Sequence, residues 1–401
     1  MDITITPRPL SGTVTAIPSK SQAHRLLICA AFADNPTTLI CPDTNRDIEA
    51  TVDCLRALGA NICRTSDGYV VEPIREYPER ATLPCCESGS TLRFMLPIVG
   101  ALGIDGLFQM EGRLPERPLS PLWEEMERMG CSLSRPTENT VRCTGKLRSG
   151  DYAINGGISS QFVTGLLLGL SLLPKISELR LNCKVESRPY INMTVHAIWL
   201  FGGYVPHTDI HYTILPHRRR SPGRIVVEGD WSNAAIWLAA HAMGSEIYLP
   251  NLNDNSAQGD RACIQWFADL TSYQTIDATH IPDLVPILSV VASANEGAKI
   301  TGAHRLRIKE SDRLKTTADL INNLGGCAVV TADGLEIKGT GLTGGTVNAH
   351  NDHRIAMAAA IAATVCKKPV TILGAECVEK SYPKFWAEYA RLGGNYEQYL
   401  R

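Results

Sequence analysis

Six times along this chain a knot of small and polar residues opens an apolar helix, and that recurrence limits the fold more than any other feature. The openings stand at Ser21, Ser90, Ser160, Ser232, Asp283 and Asp352, separated by 69, 70, 72, 51 and 69 residues. Each apolar run, rich in alanine or leucine, is followed by an amphipathic one, at 47–58, 121–129, 189–201, 260–270, 312–324 and 383–392. Five of these stop at a glycine (Gly59, Gly130, Gly202, Gly325 and Gly393), a residue suited to the left-handed position past a helix end. Short β-branched stretches at 11–16, 82–83, 139–143, 223–228 and 344–348 read as strands. The repeat is therefore strand, helix, strand, helix, strands. Six such repeats, three per domain, fit a 401-residue α/β chain of two domains. The shortened fourth interval follows a basic, turn-rich stretch at 217–223, which reads as a solvated loop near a domain end.

The rest of the composition narrows the function. A net charge of -2 leaves no electrostatic footprint for nucleic acid, so anion binding must come from local clusters. The longest apolar stretch, 165–173, is too short to span a bilayer, and the first residues lack the pattern of a targeting signal. Thirteen cysteines without a CxxC pair read as reduced thiols, which points to a cytoplasmic protein. No phosphate-loop, dinucleotide or nucleophile-elbow motif is present, and His350 and His353 read as helix-entry residues rather than metal ligands. No cofactor and no metal is expected.

Anion-binding side chains gather at the helix openings. Pro18 cannot sit inside a helix and Ser19 or Ser21 can cap one, so Lys20 stands at a helix N-terminus, with Ser21 and Arg25 on one face. Free backbone N–H groups and the positive end of the helix dipole favour a phosphate or carboxylate there. Gly89 lets a backbone approach a ligand closely, and the loop at 112–118 offers Arg113 and Arg117, whose guanidinium forks suit an anion. Ser159, Ser160 and Gln161 place two hydroxyls and an amide at a third helix start, and Ser187 with Arg188 precedes a fourth helix. The C-terminal half carries Lys309, Glu310 and Arg313 ahead of an amphipathic helix, Asp352 and Arg354 entering a wholly apolar one, Asp283 in an apolar stretch, and Lys380. Idle charges at apolar helix starts would be expensive, and carboxylates there are candidates for acid and base work. Each motif alone also reads as a capped helix or a solvated turn.

Taken in order and spacing, Ser19 to Arg25, Ser159 to Gln161, Lys309 to Arg313 and Asn351 to Arg354 closely resemble the 5-enolpyruvylshikimate-3-phosphate synthase family, over essentially the whole chain. The resemblance implies the enolpyruvyl transferase fold: two inverse α/β barrel domains of three repeats each. The chain would cross twice, giving one domain of 1–14 plus 229–401, an inserted domain of 15–228 and an active site in the cleft between them. It implies transfer of the enolpyruvyl group of phosphoenolpyruvate to the 5-hydroxyl of shikimate 3-phosphate, with release of phosphate, in aromatic amino-acid biosynthesis. Lys20, Ser21, Arg25, Ser159, Ser160, Gln161, Ser187, Asp283 and Lys309 would then hold shikimate 3-phosphate. Lys20, Gly89, Arg117, Gln161, Arg313, Arg354 and Lys380 would surround phosphoenolpyruvate. Asp283 would take the proton of the attacking hydroxyl, Glu310 would protonate the methylene carbon, and Lys20 would serve at the reacting centre. Bringing two multiply charged anions together requires such a dense, preorganised cationic site. Shikimate 3-phosphate is expected to draw the domains together, and a monomer is expected, with no membrane or nucleic-acid partner.

Glu87, Phe94 and Arg305 depart from residues common in that family, where Asn, Pro and Asn stand. Two rivals remain at this level. The sister UDP-N-acetylglucosamine enolpyruvyl transferases resemble Lys-Asn at the first motif and carry a reactive cysteine before their Arg-Pro, whereas here Ser21 follows Lys20 and 109–117 holds no cysteine. A non-catalytic binder of phosphorylated anions would not call for both Asp283 and Glu310.

Overall fold

In the computed structural model, which describes residues 1–183 and 185–399, the polypeptide divides into two compact units. One is discontinuous, Met1–Ile17 with Gly229–Arg401, and the other is inserted into it, Pro18–Glu228. Twelve α-helices are found among the described residues: α1 Lys20–Ala31, α2 Arg46–Ala57, α3 Gly89–Leu102, α4 Leu122–Arg128, α5 Ser160–Leu170 and α6 Arg188–Leu200 in the inserted unit, then α7 Trp231–Ala242, α8 Cys263–Asp269, α9 Val285–Ala294, α10 Arg313–Asn323, α11 His353–Ala362 and α12 Phe385–Arg391 in the other. No helix among the described residues is long and apolar enough to cross a membrane.

The odd-numbered helices are the recurrent apolar ones, and each is buried along nearly its whole length. A helix apolar all round must be enclosed by its own domain, so three of them form the centre of each unit. Their caps sit slightly before the predicted openings. Ser19, Ser88, Ser159 and Asp230 accept from backbone N–H groups two or three residues on, and Asp352 caps α11 at its predicted place. Asp283 instead lies in a 3-10 turn, Pro282–Leu284, that runs into α9, because Pro286 and the preceding Leu284 leave no polar cap. The five glycines past the amphipathic helices all have φ between 78° and 115°, as their role at a helix end demands.

Among the described residues, each unit surrounds its helices with three small sheets. In the inserted unit the strands Arg80–Cys86 and Asp105–Met110 pair in parallel across α3, and Thr140–Gly145 and Cys131–Ser134 continue the sheet antiparallel. The discontinuous unit repeats this order with Gln274–Asp277, Gly297–Thr301, Leu335–Lys338 and Cys327–Val330 around α9. Near the two crossings each strand pairs inside its own unit: Arg224–Val226 lies parallel to Thr37–Ile40 in the inserted unit, and Ser11–Thr13 lies parallel to Glu246–Tyr248 in the other. The stretch expected as a strand over 11–16 therefore keeps only its first three residues in a ladder. The backbone then leaves to cross, with Asp230 N–H donating to the Ile17 carbonyl at 2.8 Å in one unit and Ser19 N–H to the Glu228 carbonyl at 2.8 Å in the other.

One expectation is corrected. The basic stretch 217–223 is not simply a solvated loop, because Arg219 is 1% exposed. Its Nη2 donates to the Leu168 carbonyl (3.0 Å) and the Ser171 hydroxyl (2.8 Å) at the end of α5, and its guanidinium lies over the Phe32 ring. A cation there meets the negative end of a helix dipole, which offsets part of the cost of burial.

Helices α3 and α5 approach backbone to backbone. Pro97 removes the N–H that would have bonded the Arg93 carbonyl, and Gly165 and Gly169 of α5 come against that turn. A Cβ on Gly165 would lie 2.1 Å from the Arg93 carbonyl oxygen, and one on Gly169 2.7 Å from that of Pro97. Gly165→Ala is expected to destabilise the protein by roughly 1–3 kcal/mol, the usual cost of overpacking a well-filled core, as read from urea unfolding midpoints.

Candidate active site

In the inserted unit, the starts of α1, α3 and α5 carry most of the predicted binding residues, and side-chain bonds tie these ends together. Lys20 opens α1 and pairs with Asp47 of α2, Nζ to Oδ2 2.8 Å. Gln161 links α5 to α3 twice: its Nε2 donates to the Ser90 hydroxyl at 2.8 Å, and its Oε1 accepts from Arg93 Nη1 at 2.6 Å. Arg117, just past a 3-10 turn, packs its guanidinium on Gly89, where a Cβ would lie 2.7 Å from Nη1. Ser159 is spent as the cap of α5, and Ser160 lies in its first turn. Ser187 sits before α6 with φ 53°, a left-handed conformation uncommon for a side-chain-bearing residue and enriched at functional loops.

Arg25 lies deeper than its sequence position suggests. It is 2% exposed, and its guanidinium donates to the Thr194 hydroxyl (2.8 Å), the Thr164 hydroxyl (3.3 Å) and the carbonyls of Tyr190 (2.9 Å) and Ser21 (2.5 Å). None of these acceptors is a carboxylate. Burial accordingly lowers its pKa to about 10, still well above neutrality, so the charge is retained.

His24, next to Arg25, is buried and its Nδ1 meets the Thr51 hydroxyl at 2.7 Å, which in turn meets that of Thr91 at 2.7 Å. Burial, reinforced by Lys20 and Arg25, holds its pKa well below the ordinary 6.5. The folded protein therefore keeps His24 neutral while the unfolded chain protonates it below about pH 6.5. Stability should be full above that pH and fall by about 1.4 kcal/mol per unit below it from this group alone. Denaturation midpoints measured from pH 7.5 to 5 should show the decline, and His24→Gln should flatten it.

In the discontinuous unit the predicted residues converge on one guanidinium. Arg313, first residue of α10 and 1% exposed, donates from Nε to Asp352 Oδ2 (2.9 Å), from Nη1 to Asp283 Oδ1 (2.9 Å), and from Nη2 to Glu310 Oε2 (2.5 Å) and Asp352 Oδ1 (3.2 Å). Asp283 is also approached by Lys309 Nζ at 3.6 Å and Arg354 Nη2 at 3.5 Å. Burial works against ionisation of Asp283, but Lys309, Arg354 and Arg313 outweigh it and hold the carboxyl far below the usual carboxylate range. Burial lowers the Lys309 pKa, although Asp283 opposes this. Arg354 also donates to the Ser232 carbonyl at 2.9 Å, and Ser232 hydrogen-bonds the buried Asp260, whose carboxyl is pushed up to about 7 by burial and by the charge of Asp283. Lys380 reaches the Asn351 carbonyl at 2.9 Å.

Two clusters thus emerge, one in each unit: a mainly cationic set around Lys20, Arg25, Arg93 and Arg117, and a charge-balanced set around Arg313. Arg93, one turn beyond Gly89, is the residue here that the sequence did not single out. Asp352, expected as a carboxylate at an apolar helix start, both caps α11 and holds Arg313. The family profile described as EPSP synthase (3-phosphoshikimate 1-carboxyvinyltransferase) matches residues 5–389. The chain belongs to the EPSP synthase family. It is 36% identical over 421 residues to the 3-phosphoshikimate 1-carboxyvinyltransferase of Clostridium kluyveri, covering 99% of this chain and 98% of that one. It is 38% identical over 416 residues to that of Clostridium perfringens, with 98% of each covered. Among solved structures, the EPSP synthase of Acinetobacter baumannii superposes with a TM-score of 0.82 at 22% identity, over 99% of this chain and 100% of the other. The enolpyruvyl transferase NikO of Streptomyces tendae does so at 0.79 and 17%, covering 99% and 98%. These likenesses fit an α/β fold of two domains, the architecture that EPSP synthase family membership leads one to expect.

Proposed function

We propose that this transferase moves the enolpyruvyl group of phosphoenolpyruvate onto the 5-hydroxyl of shikimate 3-phosphate and releases phosphate, a step of aromatic amino-acid biosynthesis. What carries the reading, beyond family membership, is the placing of Asp283 and Glu310 on the same buried guanidinium. Two carboxylates of different surroundings beside one anion seat suit a reaction that needs a base and an acid at once.

In this reading Lys20, Ser21, Arg25, Ser159, Ser160, Gln161, Ser187, Asp283 and Lys309 hold shikimate 3-phosphate. Lys20, Gly89, Arg117, Gln161, Arg313, Arg354 and Lys380 hold phosphoenolpyruvate. Asp283 accepts the 5-hydroxyl proton as the oxygen bonds to C2, and Glu310 delivers a proton to C3. The product keeps its double bond, so one C3 proton must then return to the Glu310 carboxylate as the C2–O bond to phosphate breaks. Lys20, at a helix start that already favours negative charge, stabilises the departing phosphate. Both clusters must reach the same pair of substrates during turnover, one supplied by the domain Met1–Ile17 with Gly229–Arg401 and the other by Pro18–Glu228, so that the first crossing lies three residues later than the expected 14/15. We further read each domain as an inverse α/β barrel of three repeats, supported by three sheets and three buried helices per unit, and the enzyme as a cytoplasmic monomer free of nucleic acid and membrane.

Phosphate release from phosphoenolpyruvate, assayed with shikimate 3-phosphate or UDP-N-acetylglucosamine as acceptor, should occur only with shikimate 3-phosphate. Release with the sugar nucleotide alone would overturn the reading. Asp283→Ala and Glu310→Ala should each cut kcat by about 100-fold or more. Gly89→Ala, whose Cβ would press on Arg117, should raise the KM for phosphoenolpyruvate while leaving that for shikimate 3-phosphate nearly unchanged.

A further inference from the structure

Four buried polar side chains join the first three helices of the inserted unit: His24 of α1, Thr51 of α2, Thr91 of α3 and Ser88, the cap of α3. Their contacts run end to end, from His24 Nδ1 to the Thr51 hydroxyl, from Thr51 to Thr91, and from Thr91 to Ser88, each at 2.7 Å. We propose that His24 is a positioning residue for phosphoenolpyruvate: with its proton on Nδ1 it sets the direction of this chain, and the chain holds the turn that presents Gly89 to Arg117. The inference rests on the reading of Gly89 and Arg117 as part of the phosphoenolpyruvate site.

A hydroxyl has one hydrogen to give, so hydroxyls in series all donate the same way. Two observations fix which way. At the far end Thr91 donates to Ser88 Oγ, while the Asp47 carbonyl, at 3.4 Å, is too distant to compete. With the Thr91 hydrogen spent there, Thr51 donates to Thr91 and in turn accepts from His24 Nδ1–H. At the near end, His24 Nε2 meets no hydrogen-bond partner among the described residues. The reverse direction would put the ring proton on that nitrogen, and buried N–H groups left unpaired are rare in native proteins. The direction deduced from Thr91 leaves only a lone pair there, so both ends select the same tautomer.

The far end is where the backbone needs support. Cys86 has φ 49°, a conformation that side-chain-bearing residues seldom adopt and keep only where the surroundings fix it. The Glu111 N–H holds the Cys86 carbonyl at 2.8 Å. Two residues on, Ser88 Oγ accepts the Thr91 hydroxyl and also the Thr91 N–H at 3.2 Å, which is the cap bond of α3. The first N–H groups of a helix have no acceptor within it. A cap spent on Thr91 leaves those of Gly89 and Ser90 to an anion, beside the guanidinium that packs on Gly89.

The test pairs Thr51→Val, which keeps the shape and removes the hydroxyl, with Thr51→Ser, which keeps the hydroxyl and loses a methyl. Thr51→Val should raise the KM for phosphoenolpyruvate by roughly tenfold, the scale of one buried hydrogen bond, with that for shikimate 3-phosphate nearly unchanged. Thr51→Ser should stay close to the unaltered enzyme, whereas a role in packing alone would give the opposite order. His24→Asn, whose amide is bonded to Cγ as Nδ1 is, should keep a lower KM for phosphoenolpyruvate than His24→Gln. Nitrogen NMR of the isotope-labelled, unaltered protein should find the His24 proton on Nδ1. Should Thr51→Val not fold, that spectrum and the two His24 forms decide. A proton on Nε2, or a Thr51→Val form whose two KM values rise together or not at all, overturns the inference and leaves the function standing. An unaltered protein that releases no phosphate with shikimate 3-phosphate as acceptor removes both.

Discussion

A buried guanidinium has to bring its counter-charges with it, and much of the discontinuous unit is arranged to meet that demand for Arg313. A cation that is 1% exposed, without partners, would cost more than a domain of this kind has to spare. Three carboxylates from three different segments supply the compensation: Asp283 before α9, Glu310 before α10 and Asp352 at the cap of α11. Because α9 and α11 are apolar throughout, these charges collect at their ends, and the ends are where a ligand can reach them.

The inserted unit solves a similar problem in the opposite way. Arg25 is just as deeply placed, yet it is held by hydroxyls and carbonyls, and its charge is not cancelled by a carboxylate. Arg93 donates to the Gln161 side-chain amide and to the Pro118 carbonyl. Arg25 therefore offers a multiply charged anion a positive charge that no carboxylate cancels, while the cluster around Arg313 holds its cation among matched charges. The first suits holding a phosphate ester and the second suits moving protons, because proton transfer needs groups whose surroundings change during the reaction.

Local features were legible in the sequence. Caps, apolar runs and terminal glycines depend on residues a few positions apart, and the six openings were located to within about two residues. The residues at those openings, from Lys20 to Lys380, needed the family resemblance to acquire roles. Long-range pairings stayed hidden. Nothing near Arg219 announces that Leu168 and Ser171 wait for it some fifty positions earlier, so a basic loop was the natural expectation. Asp352 stood out as a carboxylate at an apolar helix start, but its partner Arg313 did not, because the pairing spans 39 positions. The pairing of the strands next to the crossings, Ser11–Thr13 with Glu246–Tyr248 and Arg224–Val226 with Thr37–Ile40, was equally invisible, since the partners lie far apart in the chain.

The placing of the first strand also bears on how the protein is made. Asp2–Thr6 lies between Val370–Leu373 and Asn395–Tyr399, so a strand made before the inserted unit must wait for strands made after α11 before its ladder can close. The inserted unit draws its contacts from one continuous stretch and is complete once Glu228 has emerged. Synthesis thus imposes an order in which the cationic cluster is assembled first and the acid–base cluster last. Until then the opening strand keeps an unpaired edge, and its alternation of threonine with isoleucine keeps one face of it polar through that wait.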